Sequence, residues 1–234
     1  MTRITTVFFD FGGTLVEPLR PVEDMWREVA RRVGLAVDLG TLMRAVEDAN
    51  ARFAGSIYDY HGRMKEYWAL HDAFVLERVG RPDSNGTLAA AIERTFKEIL
   101  LSPPYPETRG VLADLRSRSY RIGLVSNATD DLLPRLAALG LTQWFDAVTY
   151  SQEARVEKPD PAIFELAMRK IGCLRSEVIH VGDRPEADVA GARAAGITPM
   201  LVDRRGTHLT EDCVRIRDLR EVLPILESLR AERS

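Results

Sequence analysis

Asp10 ends a strand-like run, Ile4-Thr5-Thr6-Val7-Phe8-Phe9, and opens into Phe11-Gly12-Gly13-Thr14-Leu15. Open parallel sheets collect their ligands where a buried strand delivers its end to a Gly-rich turn. A carboxylate there reads as a nucleophile or a metal ligand. Three further segments follow predicted strands with groups of complementary kind: Ser126-Asn127, Lys158-Pro159, and Gly182-Asp183 with Asp188 shortly beyond. Taken singly, each is an ordinary cap, turn pair or solvated charge. Together they offer anions, a hydroxyl and a cation on one rim, a mixture suited to handling a phosphoryl group.

To converge, these segments must sit at the ends of parallel strands. β-branched runs predict strands over residues 4–10, 121–126, 147–150, 178–182 and 198–202. They alternate with helices predicted over 110–117, 130–139, 161–171, 186–195 and 218–230. The alternation predicts an α/β fold: a Rossmann-like three-layer core with a mostly parallel sheet. Between the first and second strands the texture changes. From residue 21 to 101, apolar residues recur at three- and four-residue steps, among them Val22, Met25, Trp26, Val29, Val33, Leu88, Ile92, Phe96 and Ile99. That period predicts four helices and no strand. Asp38, Asp59 and Ser84 stand where helix caps are expected, and Gly34, Gly55 and Gly80 where helices would end. Ser102-Pro103-Pro104-Tyr105-Pro106 cannot continue a helix, because each proline lacks the N–H and restricts its predecessor. The expected organisation is therefore an α/β core of residues 1–16 and 103–234, hinged to an inserted α-helical cap of residues 17–102 that could lie over the sheet's active edge.

Composition narrows the partners. The 234 residues are 29% charged with a net charge of -3. Nothing in that balance favours nucleic acid or a membrane surface. Cys173 and Cys213 have no neighbouring Cys or His at metal spacing and read as reduced structural thiols, which points to the cytoplasm. No basic stretch precedes an apolar leader, and no window approaches the roughly 18 apolar residues that span a bilayer. A soluble cytoplasmic protein, monomer or homodimer, acting on a small molecule is the expectation.

The motifs resemble those of the haloacid dehalogenase superfamily, in its phosphatase-like branch with a helical cap between the first and second motifs. The resemblance rests on Phe9-Asp10-Phe11-Gly12-Gly13-Thr14-Leu15, on Leu124-Val125-Ser126-Asn127, and on Glu157-Lys158-Pro159-Asp160-Pro161-Ala162-Ile163-Phe164. It is completed by His180-Val181-Gly182-Asp183 running on to Asp188-Val189-Ala190-Gly191-Ala192. It implies that Asp10 attacks phosphorus to give an aspartyl-phosphate, which water then cleaves. By similarity, Mg²⁺ would be held by the carboxylates of Asp10 and Asp183 and the main-chain carbonyl of Gly12, relieving the repulsion between carboxylate and phosphate. Ser126 and the Asn127 backbone would bind phosphate oxygens, Lys158 would neutralise developing charge, and Asp188 would orient metal-bound water or Lys158. Thr14 supports the turn after Gly13. His180, inside a predicted buried strand, reads as a satisfied core histidine.

Gly12 departs from the pattern. Phosphatases of the superfamily usually carry a second aspartate two residues after the nucleophile, which protonates the leaving alcohol. Positioned proton transfer is typically worth roughly 10²- to 10⁴-fold, so hydrolysis of alkyl monoesters is expected to suffer most. A substitute acid from the cap or a water, or a leaving group that needs little protonation, would restore turnover. The alternatives are a phosphate-binding scaffold with weak or no turnover, a phosphonatase using Lys65 or Lys97, and a dehalogenase. The last is disfavoured because dehalogenases generally carry a bulky residue at the position of Gly12 and a serine where this chain has Asp183. Substrate choice falls to the cap. Its stripe of Tyr58, Tyr60, His61, Arg63, Tyr67, Trp68 and His71 fits cap core better than a substrate-reading surface, with His61 and Arg63 the expected polar contacts.

Overall fold

The computed structural model describes residues 3–208 and 212–231. The chain divides into two compact units, Met1–Pro18 with Pro103–Ser234, and Leu19–Ser102. The first segment reaches Pro18 rather than residue 16 because Glu17 N–H donates to Pro103 O at 2.9 Å, which ties the end of that segment to its own unit.

The α/β unit opens with β1 (Thr6–Phe9), after which the chain builds the helical unit. That unit consists of α1 (Val22–Arg32), α2 (Leu39–Arg52), α3 (Met64–Arg78) and α4 (Thr87–Ile99). Its core is Trp26, Val29, Leu42, Val46, Val75, Leu76 and Ile92, with Trp26 set edge-on to Phe96 at 4.8 Å. Asp38 caps α2 as its position predicts, accepting from Thr41 N–H at 2.9 Å. Ser84 does not cap α4. Its neighbours do so: Asn85 accepts from Thr87 N–H and Asp83 from Ala89 N–H, at 3.0 and 2.8 Å. Asp59 lies in a 3₁₀ turn, Ser56–Tyr60, and α3 begins only after Arg63.

The α/β unit resumes with α5 (Thr108–Ser117), β2 (Arg121–Ser126), α6 (Leu132–Ala138), β3 (Ala147–Tyr150) and the short α7 (Ser151–Ala154). It continues through α8 (Pro161–Ile171), β4 (Val178–Gly182), α9 (Ala190–Ala194), β5 (Thr198–Val202), β6 (Val214–Ile216) and α10 (Val222–Ala231). The sheet is parallel throughout, in the order β3-β2-β1-β4-β5-β6. Alternation along β1 makes the layers. Val7 and Phe9 join one cluster with Leu112, Leu115, Ile122, Leu124 and Leu226, while Phe8 faces the other with Phe164, Ala167 and Ala192. Both sheet faces are thus covered by helices, the condition under which parallel strands become uniformly apolar.

Three predicted helices are shortened, and the one expected over 218–230 is a 3₁₀ turn, Leu219–Glu221, before α10. α6 starts at Leu132, since residues 129–131 form the turn leading into it. The span 186–195 is a π-helical turn, Pro185–Val189, followed by α9. There Arg184 O accepts from the N–H groups of Ala187, Asp188 and Val189, and the Asp188 carboxylate folds back onto Arg184 N–H at 3.0 Å. A π turn of this kind often marks a functional position. Among the described residues, no helix is long and apolar enough to cross a membrane.

Candidate active site

The strand order fixes where the chemistry can collect. The chain runs outward from β1 through β2 to β3, then returns to add β4 on β1's other side, so β1 and β4 flank the topological switch point. Asp10 follows β1 and Asp183 follows β4. Register brings Phe9 level with Leu124 of β2 and Val181 of β4, so the ends of all three strands lie side by side. Lys158, from the loop before α8, reaches the same rim. Its ammonium donates to Asp10 Oδ1 at 2.6 Å, to Asp188 Oδ1 at 2.6 Å and to Val125 O at 3.0 Å, which uses all three of its hydrogens.

Asn127 fixes the lysine from behind. Its Oδ1 accepts from Lys158 N–H at 2.7 Å and its Nδ2 donates to Lys158 O at 3.0 Å. Ser126 is buried at the end of β2. Thr14 Oγ1 donates to Asp183 Oδ1 at 3.3 Å, linking the turn after β1 to the turn after β4. Two glycines permit this crowding. A Cβ on Gly13, already at φ +83°, would fall inside the Asp183 carboxylate, and one on Gly182 would collide with Asp188. Gly12 is different: it is exposed, and an added Cβ would meet no atom within 4 Å.

Charge is unbalanced at this rim. Burial pushes the Asp10 carboxyl up to about 6 against the pull of Lys158, and burial together with Asp188 pushes Asp183 up to about 6. Burial also works against a charged Asp188, but Lys158 and a hydrogen bond from His180 outweigh it and hold that carboxyl well below its ordinary range. For Lys158 the two carboxylates overcome burial and raise the ammonium above its usual value. One ammonium against three carboxylates leaves two negative charges unmatched, the charge a divalent cation supplies. Ligand oxygens of Asp10, Asp183 and Asp188 lie within 4.8 Å of one another. A hard cation with oxygens at about 2.1 Å spans about 4.2 Å between opposite ligands, so the residues fit such an ion with little movement.

A family model of haloacid dehalogenase-like hydrolases matches residues 4–196. The chain belongs to this family. It is 37% identical to a phosphoserine phosphatase of Thermus thermophilus, across 92% of this chain and 96% of that one. It is 38% identical to a glyceraldehyde 3-phosphate phosphatase of Methanothermobacter thermautotrophicus, across 90% and 91%. Among solved structures it resembles a 2-haloacid dehalogenase of Pseudomonas syringae, with a TM-score of 0.75 at 25% identity, covering 96% of this chain and 98% of that one. The chain is accordingly an enzyme, a phosphatase-like member of the haloacid dehalogenase-like hydrolases.

Within this hydrolase, the histidine expected to be a satisfied core residue also joins the acidic cluster. His180 is 1% exposed and packs against the Phe164 ring, as a core histidine should, yet its Nε2 lies 2.9 Å from Asp188 Oδ1. A carboxylate only accepts, so Nε2 carries the hydrogen, while Nδ1 is buried without a hydrogen-bond partner. Only the fold-back of the π turn brings Asp188 beneath β4. The expected substrate contacts His61 and Arg63 are exposed residues of the helical unit, just before α3. Arg63 is engaged within that unit, with Glu66 at 3.0 Å, Asp59 O at 3.2 Å and the Tyr60 ring at 5.1 Å. Tyr67 and His71 are buried in it, against Phe53. Lys97 pairs with Glu93 on the surface of α4.

Proposed function

We propose that the protein is a Mg²⁺-dependent hydrolase of small phosphate monoesters that works through an aspartyl-phosphate on Asp10. The observation that carries this reading is the buried Lys158 ammonium shared between Asp10 and Asp188, beside Asp183. A binding protein has no need of a carboxylate so tightly oriented. Asp10 and Asp183, with the main-chain carbonyl of Gly12, would hold the cation, which when bound supplies positive charge that offsets the repulsion between carboxylate and phosphate.

The chain's own residues then divide the work. Lys158 holds Asp10 Oδ1, which leaves Oδ2 as the atom that attacks phosphorus while the ester oxygen departs. Water cleaves the resulting acyl phosphate, returning the Asp10 carboxylate and releasing inorganic phosphate. Ser126 and the Asn127 backbone would hydrogen-bond the transferring oxygens, and Lys158 would offset their growing charge. Asp188 and Asn127 position Lys158 from two sides. Gly12 offers the departing alkoxide no proton, so a substitute acid from the cap or a water would supply it, or the leaving group would need little protonation. Asp183, where dehalogenases carry serine, favours phosphoester over carbon–halogen chemistry.

The similarity to phosphatases of phosphoserine and of glyceraldehyde 3-phosphate supports small phosphorylated metabolites as the substrate class. Release of inorganic phosphate from p-nitrophenyl phosphate, measured with and without Mg²⁺ and with Asp10→Asn, tests the reading. Turnover that needs both Mg²⁺ and the Asp10 carboxylate is expected. Phosphate binding without turnover would favour a scaffold instead.

A further inference from the structure

Arg204 lies outside every motif described above, yet it holds the turn that follows Asp10. It sits just after β5, on a loop that is itself pinned: Asp203 N–H donates to Ile216 O at 2.7 Å, and the Asp203 carboxylate accepts from the N–H groups of Thr207 and His208 at 2.9 and 3.0 Å. From that base the guanidinium makes three contacts in three directions. Nη2 donates to Thr14 O at 3.0 Å, Nη1 donates to Glu107 Oε1 at 2.8 Å, and Cζ lies 3.5 Å above the centre of the Tyr105 ring. Glu107 is almost fully buried and the arginine mostly so, with side-chain exposures of 7% and 21%.

The residue whose carbonyl Arg204 holds is the residue whose hydroxyl touches Asp183. Further ties run from residues 105–108 to the same turn: Tyr105 N–H and Thr108 Oγ1 both donate to Leu15 O, at 3.1 and 2.6 Å. Those bonds fix Leu15. Among the described residues Arg204 is the side chain that donates to the Thr14 carbonyl, and it does so while stacked on Tyr105, a combination that a planar fork makes and a lysine does not.

We propose that Arg204 is a positioning residue for the divalent cation. It clamps the Thr14 carbonyl between Tyr105 and Glu107, and so keeps the Gly12–Thr14 turn and the Thr14 bond to Asp183 in the geometry that receives the ion. The inference rests on the reading of Asp10 and Asp183 as cation ligands and goes beyond it to what orders them. Thr14 lies one layer behind Asp183 and Arg204 orders Thr14; such supporting partners tune affinity because a ligand free to wander must be ordered again each time the ion binds.

The test is Mg²⁺ titration by calorimetry of wild type, Arg204→Met, Arg204→Lys and Glu107→Gln, with melting temperature and kcat at saturating Mg²⁺ measured alongside. Arg204→Met is expected to weaken Mg²⁺ binding by roughly 10-fold or more, with Arg204→Lys in between because it keeps the charge and loses the fork. Its kcat should largely recover once Mg²⁺ saturates. A purely structural arginine would lower the melting temperature and leave the Mg²⁺ affinity of the folded protein untouched. An unchanged affinity in folded Arg204→Met therefore overturns the inference. Should Arg204→Met fail to fold, Glu107→Gln, which releases one arm only, decides in the same way: weaker Mg²⁺ binding supports the clamp and unchanged binding refutes it. Wild-type protein that takes up no Mg²⁺ would sink the cation reading itself, an outcome distinct from an arginine that does not matter.

Discussion

Placing a carboxyl at Gly12 should raise the rate on alkyl phosphates, and the open space there makes the gain measurable. Gly12 is exposed, has no positive φ, and leaves open space where a Cβ would stand, so Gly12→Asp carries little steric cost. The variant should therefore melt close to wild type. Positioned proton transfer is worth roughly 10²- to 10⁴-fold when the donor holds its proton. At pH 6 a carboxyl with an ordinary pKa of about 3.9 is only about 1% protonated, which leaves a gain of at most about 10². Burial is what chiefly pushes Asp10 and Asp183 up to about 6; a carboxyl at exposed Gly12 lacks that burial and would be raised only by the negative charges of the rim. We therefore expect kcat on an alkyl phosphate to rise between about 10- and 10³-fold. An aryl phosphate, whose leaving group needs little protonation, should change by less than about 3-fold. Because the acid acts in its protonated form, the advantage should fade as pH rises above its pKa. Steady-state rates on both esters between pH 5 and 8 would measure this. An unchanged alkyl rate in a folded variant, or equal gains on both esters, would refute the reasoning.

Other consequences follow from the same geometry. Lys158→Met removes the ammonium between two buried carboxylates, and breaking such a pair costs about 3–5 kcal/mol. Chemical denaturation should register that loss together with loss of activity. His180→Leu leaves Asp188 short of a donor and should lower kcat with little change in KM, whereas His180→Gln, which can present an N–H to the same oxygen, should recover much of it. In metal-free protein Asp10 and Asp183 are raised above the ordinary carboxylate value, so their charging opposes folding as pH climbs from about 4 to about 6. Mg²⁺ binds the charged forms, so its stabilising effect in thermal melts should grow across that window and level off above it.

The fold was readable where period and local chemistry agreed. Strands predicted over 121–126, 147–150, 178–182 and 198–202 coincide with β2 to β5, because apolar β-branched runs covered on both faces leave little choice of period. β6 escaped because Val-Arg-Ile is too short for a period to show. The π turn escaped because its mark is the Asp188 side chain returning to Arg184 N–H, a local bond that the period of apolar residues does not reveal. At the site, Asp10, Lys158 and Asp188 were legible from motif order, and the structure brings them into direct contact. Asn127 was singled out for its backbone, whereas the contact recorded is its side chain gripping Lys158. Arg204 reaches Thr14 across 190 residues, a distance only the folded sheet closes, and His180 meets Asp188 only through the π turn.

In the proposed reaction Asp10 itself receives the phosphoryl group. Acid-quenching the enzyme during turnover with Mg²⁺ and mapping phosphorylated peptides by mass spectrometry tests it most directly. We predict a labile phosphoryl group on the peptide carrying Asp10, absent without Mg²⁺ and absent in Asp10→Asn. Steady release of inorganic phosphate by Asp10→Asn at the wild-type rate, or a phosphoryl group trapped on another residue, would contradict the account.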